Sequence, residues 1–454
     1  MANVLLVSCN TTREPYPVYP LGMAMVAESA RNLGHTVLEW DHLQSGVCTE
    51  RTVEAVRSFK PDVIGLSLRN IDNIDSSGPA SYTDPYTELG RRLRECTSSR
   101  IVLGGSGYSL FPEILLERMG ADYGIVGEGE VAFCRLIEQL ASGSVPKCRI
   151  LYGADAPVGE GMVAPRRSAE LAAYYLKEGG MLNLQTKRGC PYRCAYCTYP
   201  MLEGRSYRFR EPGAVVDEIE MLIEEHGAEY YAMADSVFND RCGQYLLIAE
   251  ELVRRGIDTP WMAFFRPQRF GGEEVELLRR SGLHAVEWGT DCASDVTLAG
   301  MQKGFTWSEV EESNRFFAAA GIHNAHFIIF GGIGEVEKTV LEGLANIERL
   351  ADCVVFAFCG VRVLPGTGIH QVAVEEGVVG RSQELLSPTF YFSPNVTRSF
   401  LHDTVMSSFS GRSDRLYPPS EGSERIDAFH RMGYRGPIWD LLLRKGGRRK
   451  KVSG

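Results

Sequence analysis

The chain is 454 residues long and 44% hydrophobic, enough for two or three domains with apolar cores and too apolar for a disordered protein. Its net charge of −10 disfavours a nucleic-acid partner. No run of about 18 apolar residues occurs, so no membrane span is expected; twelve cysteines behind a start, "MANVLLVSCN", without a leader pattern point to the reducing cytoplasm.

Residues 1–143 alternate short apolar runs with amphipathic stretches. "NVLLVSC", "TVLEWDHL", "PDVIGLSL", "RIVLGG" and "YGIVGEG" read as strands, with helices over 20–33 and near 49–59 and helical patterns in "FPEILLERMG" and "EVAFCRLIEQL". Strand–helix alternation of this kind predicts an α/β, doubly wound parallel sheet of Rossmann-like type. Ligands of such sheets sit beyond the carboxyl ends of the strands, here "SCNTT", "LSLRN", "GGSGYS" and "GEGE". Residues 144–180 read as an irregular connector. A second series spans 181–370, with strands in "GMLNLQT", "AEYYAMAD", "PWMAFFRP", "HAVEWGTD", "HNAHFIIFG" and "DCVVFAFCGVRV". Six strand–helix units predict a partial (βα)6 barrel, functional groups again at the carboxyl ends. The alternation is lost over 371–454, read as an accessory region that shapes substrate choice. Its last stretch, "RKGGRRKKVSG", reads as a solvated tail.

Cys190, Cys194 and Cys197, spaced C-x-x-x-C-x-x-C in "KRGCPYRCAYCTYP", directly follow the first barrel strand and so lie on a loop at the barrel top. Thiolates select zinc or iron–sulfur clusters. A structural zinc site takes four ligands. A cluster of four irons held by three thiolates keeps one iron open for a substrate or cofactor. A zinc site borrowing a remote ligand stands as the alternative, since nine other cysteines are present.

C-x-x-x-C-x-aromatic-C, with Tyr196 as the aromatic, resembles the motif of the radical S-adenosylmethionine enzymes, over roughly residues 180–370. The resemblance implies a [4Fe-4S] cluster whose open iron chelates S-adenosylmethionine, and an electron, from a donor such as flavodoxin or ferredoxin, that releases a 5′-deoxyadenosyl radical. It also implies S-adenosylmethionine contacts at other strand ends. Asp235 and Ser236 in "MADSVF" stand where family members often carry Gly-Gly-Glu. Glu287, Thr290 and Asp291 in "VEWGTD" suit ribose hydroxyls or the amino group. Ile329, Gly331 and Gly332 in "FIIFGGIGE" are similar to the family's adenine-side motif, and "VLPGT" after the sixth strand also fits the pattern. The plain alternative for each carboxylate is a structural hydrogen-bonding role. His284, His323 and His326 read as core or rim histidines.

The first domain resembles the cobalamin-binding domain of one large subclass of these enzymes. That motif places Asp-x-His-x-x-Gly after the first strand, Ser-x-Leu after the third and Gly-Gly after the fourth. Gly104 and Gly105 match, and so does Ser67, but Arg69 takes the Leu place and "CNTTREPYP" has no His. The resemblance then implies cobalamin with no protein nitrogen from this loop on cobalt, and Arg69 under the corrin, unless Arg69 pairs with Asp72 or Asp75. Asn10, Thr11, Thr12, Gly22, Asn70, Ser106, Gly107, Tyr108, Gly127, Glu128 and Gly129 complete the expected cobalamin surface, with Glu128 and Glu130 facing the nucleotide loop.

Together these features resemble the cobalamin-dependent radical S-adenosylmethionine C-methyltransferases, which move a methyl group from methylcobalamin to a substrate carbon after hydrogen abstraction. The substrate would be a small molecule, or a peptide or protein. The alternatives are cyclisation, ring contraction or polar methylation on the same cofactors, a methylthiotransferase of transfer RNA, which the acidic balance disfavours, and a non-catalytic sensor.

Overall fold

The computed structural model describes residues 1–153 and 162–443; the basic stretch ending the chain and residues 154–161 of the connector lie outside these described residues. Apolar runs of four to six residues form buried parallel strands, which need no alternation because helices cover both faces. β1 (Asn3–Ser8), β2 (Thr36–Asp41), β3 (Val63–Ser67), β4 (Arg100–Gly104), β5 (Tyr123–Val126) and β6 (Ile150–Tyr152) pair in the order β2-β1-β3-β4-β5-β6. The order reverses between β1 and β3, so the crevice opens beyond Ser8 and Ser67.

β6 corrects the expected boundary at 143, because the first sheet runs on to Tyr152. A strand of three residues carries too little periodicity to be read. The connector also holds a helix, Ala169–Gly179, started by the Ser168 side chain, which accepts from the Leu171 N–H, and ended by Gly180 at φ 71°.

The six expected strands of the second series are present as β7 (Leu182–Leu184), β10 (Tyr231–Met233), β11 (Trp261–Phe265), β12 (Leu283–Asp291), β13 (His323–Phe330) and β14 (Cys353–Cys359). Between the first two, β8 (Lys187–Arg188) and β9 (Arg208–Phe209) form a short antiparallel pair that closes the base of the cysteine loop. After them come the pair β15 (Val361–Arg362) and β16 (Phe390–Tyr391), and β17 (Arg415–Leu416). The curved sheet runs β17-β14-β13-β12-β11-β10-β7, a partial barrel open between its edges.

The chain beyond 370 is more than an accessory cap. β17 pairs with β14 as a seventh strand. Ile438, Trp439 and Leu442 join Met181, Met262, Ala285, Ala325 and Phe356 in one buried cluster. Met181 directly precedes its strand, Met262, Ala285 and Ala325 lie among the first three residues of theirs, and Phe356 is mid-strand, so the last helix, Trp439–Leu443, stoppers the barrel from the end opposite the cysteines. Among the described residues no helix is long and apolar enough to cross a membrane.

The domains share one continuous apolar core, in which Leu66, Leu68 and Ile71 of the first meet Val361, Leu385 and Leu386 of the second. Beside it, Arg362 Nε donates to Asp72 at 2.8 Å, the two side chains 5% and 1% exposed. Trp439→Ala would leave a large cavity in the stopper. We expect it to lower the stability of the barrel by about 3–5 kcal/mol, read from its urea unfolding transition, with less effect on the first sheet.

Candidate active site

Two adjacent cations fix the cysteine loop. Side chains of neighbouring strand residues point to opposite faces, and in β8 these faces belong to different bodies. Lys187, 2% exposed, turns into the barrel, where its Nζ lies 3.2 Å from Asp235 and 3.5 Å from Asp240 and donates to the Phe238 carbonyl at 2.6 Å. Arg188 turns to the first domain, donating to Glu128 at 2.6 Å and to Glu130. Arg208 of β9 also donates to Glu128, at 3.0 Å through Nη1. Burial disfavours the Arg188 charge, but Glu130 and then Glu128 more than offset this, and the guanidinium stays charged.

Next in sequence is Gly189, at φ 89°; a Cβ there would stand 2.0 Å from the Ser206 carbonyl oxygen, so only glycine lets the loop return. The Gly189 N–H donates to Glu203 at 3.1 Å, the Cys190 N–H to the Gly204 carbonyl at 3.0 Å, and the Ala195 N–H to the Met301 carbonyl at 2.9 Å. Cys190 is buried and Cys194 and Cys197 are half-buried. Burial raises the Cys190 thiol and pushes Cys197 up to about 12, and the neighbouring thiols raise each further. Ligation needs the thiolate, and a cation is at hand. Lys303 donates to the Tyr196 hydroxyl at 3.3 Å and to Asp291; burial opposes its charge, while Asp291 and Cys194 hold it on. Arg266 lies 4.4 Å from the Tyr192 ring centroid and 4.8 Å from that of Phe305.

Three thiols on one loop, with cations beside them and no fourth Cys in the loop, suit a cluster with one open corner better than structural zinc. Among the described residues no three His, Cys, Asp or Glu side chains gather as tightly as a single ion demands. A cluster of four irons takes each thiolate to a different corner.

The expected S-adenosylmethionine contacts divide. Tyr196 donates to Asp291, beside the cysteines. Ser236 Oγ lies 3.4 Å from the Gly189 carbonyl, against the loop. Asp235 is corrected to a structural role: it is 2% exposed and its carboxylate accepts from Thr186 and Lys187. Thr290 is corrected likewise, fully buried with its hydroxyl 2.8 Å from His326 Nδ1. His326 also meets Asn314 at 3.1 Å, and burial lowers its pKa to about 3, a core histidine as expected. Ile329 is half-buried in β13. The N–H groups of Gly331 and Gly332 donate to Glu335, whose carboxyl burial raises to about 7. Glu287 lies in mid-strand, well below the loop.

The first domain presents a platform. The Leu68 N–H donates to the Gly104 carbonyl at 2.8 Å, the Gly107 N–H to the Leu68 carbonyl at 2.9 Å, and Ser106 Oγ to the Arg69 carbonyl at 2.8 Å. A Cβ on Gly105, at φ 93°, would lie 2.5 Å from the Leu68 carbonyl oxygen, so the glycine lets the two strand ends close together. Gly104 has nothing within 4 Å of where a Cβ would stand. Arg69 is exposed, and among the described residues no carboxylate pairs with it. Asp72 is taken by Arg362, and Asp75 accepts from Ser77 at 2.9 Å. Ser67, Asn70, Thr11 and Thr12 are half-buried around this surface, and Gly22 is exposed. A glycine-floored surface bordered by an exposed cation is what the lower face of a corrin would need.

Six expected cobalamin residues are engaged within the protein. Tyr108 is buried beneath Gly124, its hydroxyl 1.8 Å from where a Cβ of that glycine would stand. Asn10 is buried and braces its own loop, its Nδ2 donating to the Thr12 carbonyl at 3.0 Å. Glu128 is held by Arg188 and Arg208 and Glu130 by Arg188, so neither faces a nucleotide loop. Gly129 caps the helix Glu130–Ala141 against Val26, and Gly127, at φ 83°, donates its N–H to Ser109 Oγ at 2.9 Å.

The loop that lacks the motif histidine crosses to the barrel. Arg13 donates to the Tyr174 hydroxyl at 3.1 Å and pairs with Glu178, and Tyr16 donates to Glu287 at 3.2 Å. The two histidines of the first domain are engaged elsewhere, His35 Nδ1 3.2 Å from the Ala2 N–H and His42 Nδ1 3.1 Å from Thr52 Oγ1. Arg188, Lys303, Glu335 and Tyr16 were not singled out in the sequence. Only the adjacency of Arg188 to the cysteine loop and of Glu335 to the glycine pair gave a signal.

The comparisons with known proteins agree with this division. Residues 8–137 match the B12 binding domain family and residues 184–345 the radical SAM superfamily. The chain is 25% identical to a tryptophan 2-C-methyltransferase of Streptomyces laurentii, covering 82% of this chain and 74% of that protein. It is also 25% identical to an anaerobic magnesium-protoporphyrin IX monomethyl ester cyclase of Rubrivivax gelatinosus, covering 93% of this chain and 80% of that protein. The solved radical S-adenosylmethionine methyltransferase TsrM of Kitasatospora setae, with tryptophan substrate and an S-adenosylmethionine analogue bound, superposes with a TM-score of 0.87 over 97% of this chain and 98% of that one, at 22% identity.

Arg188→Ala would strand the buried carboxylate of Glu130 and leave the half-buried Glu128 with Arg208 alone. It should cost about 3–5 kcal/mol in chemical unfolding. Arg208→Ala, which leaves Glu128 its Arg188 partner, should cost distinctly less.

Proposed function

This chain is a cobalamin-dependent radical S-adenosylmethionine enzyme, and we propose that it methylates a carbon atom of a small organic molecule. The observation that carries the proposal is the joint between the domains: Arg188, two residues before Cys190, grips Glu128 and Glu130 just beyond β5, which ties the base of the thiol loop to the strand ends that would carry cobalamin. When bound, the cluster, S-adenosylmethionine and cobalamin supply an electron, a methyl group and a carrier for it.

The chain's own residues bind and orient. Cys190, Cys194 and Cys197 would hold the cluster. Tyr196, Asp291 and Lys303 stiffen the loop from the barrel side and set a cation against the thiolates. Gly331 and Gly332, pinned by Glu335, and Ser236 would border S-adenosylmethionine. Gly104, Gly105 and Arg69 would carry the corrin. Arg69 has donors but no lone pair for a metal. It would therefore lie against the corrin without itself offering a ligand to the metal. The methyltransferase relative and the TsrM likeness favour methyl transfer; the cyclase relative favours ring formation on the same cofactors. A donor such as flavodoxin or ferredoxin and a cytoplasmic setting complete the reading.

Anaerobically reconstituted protein should bind iron and cobalamin and move an isotope-labelled methyl group from S-adenosylmethionine first to cobalamin and then to product. Replacing any one of Cys190, Cys194 and Cys197 with Ala should reduce the iron content and abolish methyl transfer to product. Full iron content in the triple variant, or a product without the label, would overturn the proposal.

A further inference from the structure

One wall of the barrel carries side chains that neither the thiol loop nor the cobalamin platform engages. Phe264 of β11 is 41% exposed, although strands of such sheets are normally covered on both faces. Its register partner on β12 is Glu287, whose partner on β13 is Ala325, so the three side chains stand in one row. Residues two apart on a strand share a face. Met262 and Ala285, two positions earlier, belong to the inner cluster stoppered by Trp439. Ala325 of the row belongs to that cluster too, so the row faces the barrel interior and borders the stopper. Phe327 and Phe358, half-buried, continue the inner face, and Ala232 and Ala325 leave room that larger side chains would fill.

Glu287 is the charged group on this wall. It is 4% exposed and accepts one hydrogen bond, from Tyr16 at 3.2 Å. Among the described residues no cation pairs with it. Burial raises its carboxyl to about 7, with only the Tyr16 hydroxyl acting the other way. A carboxyl walled by phenylalanines and alanines, with one neutral donor, is costly unless a ligand brings a further donor. Tyr16 reaches this wall from the loop after β1 of the first domain. S-Adenosylmethionine also carries an ammonium group, but Glu287 lies four residues before the end of β12, roughly 13 Å lower along the strand. The residue of this strand that meets the thiol loop is Asp291.

We infer that Glu287 anchors the substrate, binding an amine nitrogen of a small molecule whose apolar body lies against Phe264, Phe327 and Phe358. The inference rests on the methyltransferase reading and adds the substrate class. Tyr16, arriving from the other domain, would hold the carboxylate in place.

The test uses the reconstituted holoenzyme and two probes of similar size and opposite charge, 2-phenylethylamine and 3-phenylpropionate, titrated calorimetrically. The wild-type protein should bind the amine in preference to the acid. Glu287→Gln should weaken amine binding at least about tenfold, the loss of a charge-assisted hydrogen bond, while iron content, cobalamin content and S-adenosylmethionine binding stay as in the wild type. Those three measurements report the cofactor reading separately. The inference is overturned if the amine fails to bind, if the acid binds as well, if Glu287→Gln binds the amine unchanged, or if that variant loses S-adenosylmethionine instead. Should Glu287→Gln not fold, the preference of the wild-type protein for amine over acid decides the matter alone.

Discussion

Lys187 and Arg188 are the constraint on which the rest depends. Both are buried, and each needs carboxylates because an unpaired charge in that setting would cost several kcal/mol. The strand geometry sends one into the barrel and the other into the first domain. The cysteines begin two residues later. The loop's position is thus set by electrostatics reaching in both directions, and the domains cannot part without exposing or stranding charges.

A second tie lies across the interface, where Arg362 meets Asp72. A third runs through the middle as the loop after β1, with Tyr16 reaching Glu287. In the cobalamin proteins that this domain resembles, that loop carries the axial histidine. Here its residues Arg13 and Tyr16 are spent on the joint, with Tyr174, Glu178 and Glu287. The space between Tyr16 and the stopper is left as the natural place for a substrate.

Much of this was legible in the sequence. Parallel strands buried on both faces announce themselves as apolar runs, so eleven of the strands were found, and the thiol spacing named its own chemistry. β6 and β17 escaped because strands of two or three residues have no readable period. Strand-end position correctly marked where polar groups gather, but not what each would meet. Glu128, Glu130 and Asp235 stood at the right ends and proved to bind arginine and lysine of the same chain. Partner choice across a domain interface depends on contacts distant in sequence, and no local pattern encodes it. The same holds for Trp439, whose place in the barrel is invisible from its neighbours.

The measurement that bears most directly on this account is pulsed dipolar electron paramagnetic resonance on protein carrying both the reduced cluster and divalent cobalt in cobalamin. If one cleft holds both, the two spins should couple with a single narrow distance distribution in the wild-type protein, and the distribution should broaden in Arg188→Ala. Full occupancy of both centres with no coupling between them, or with an identical distribution in the variant, would contradict the claim that this ion network brings the two cofactors together.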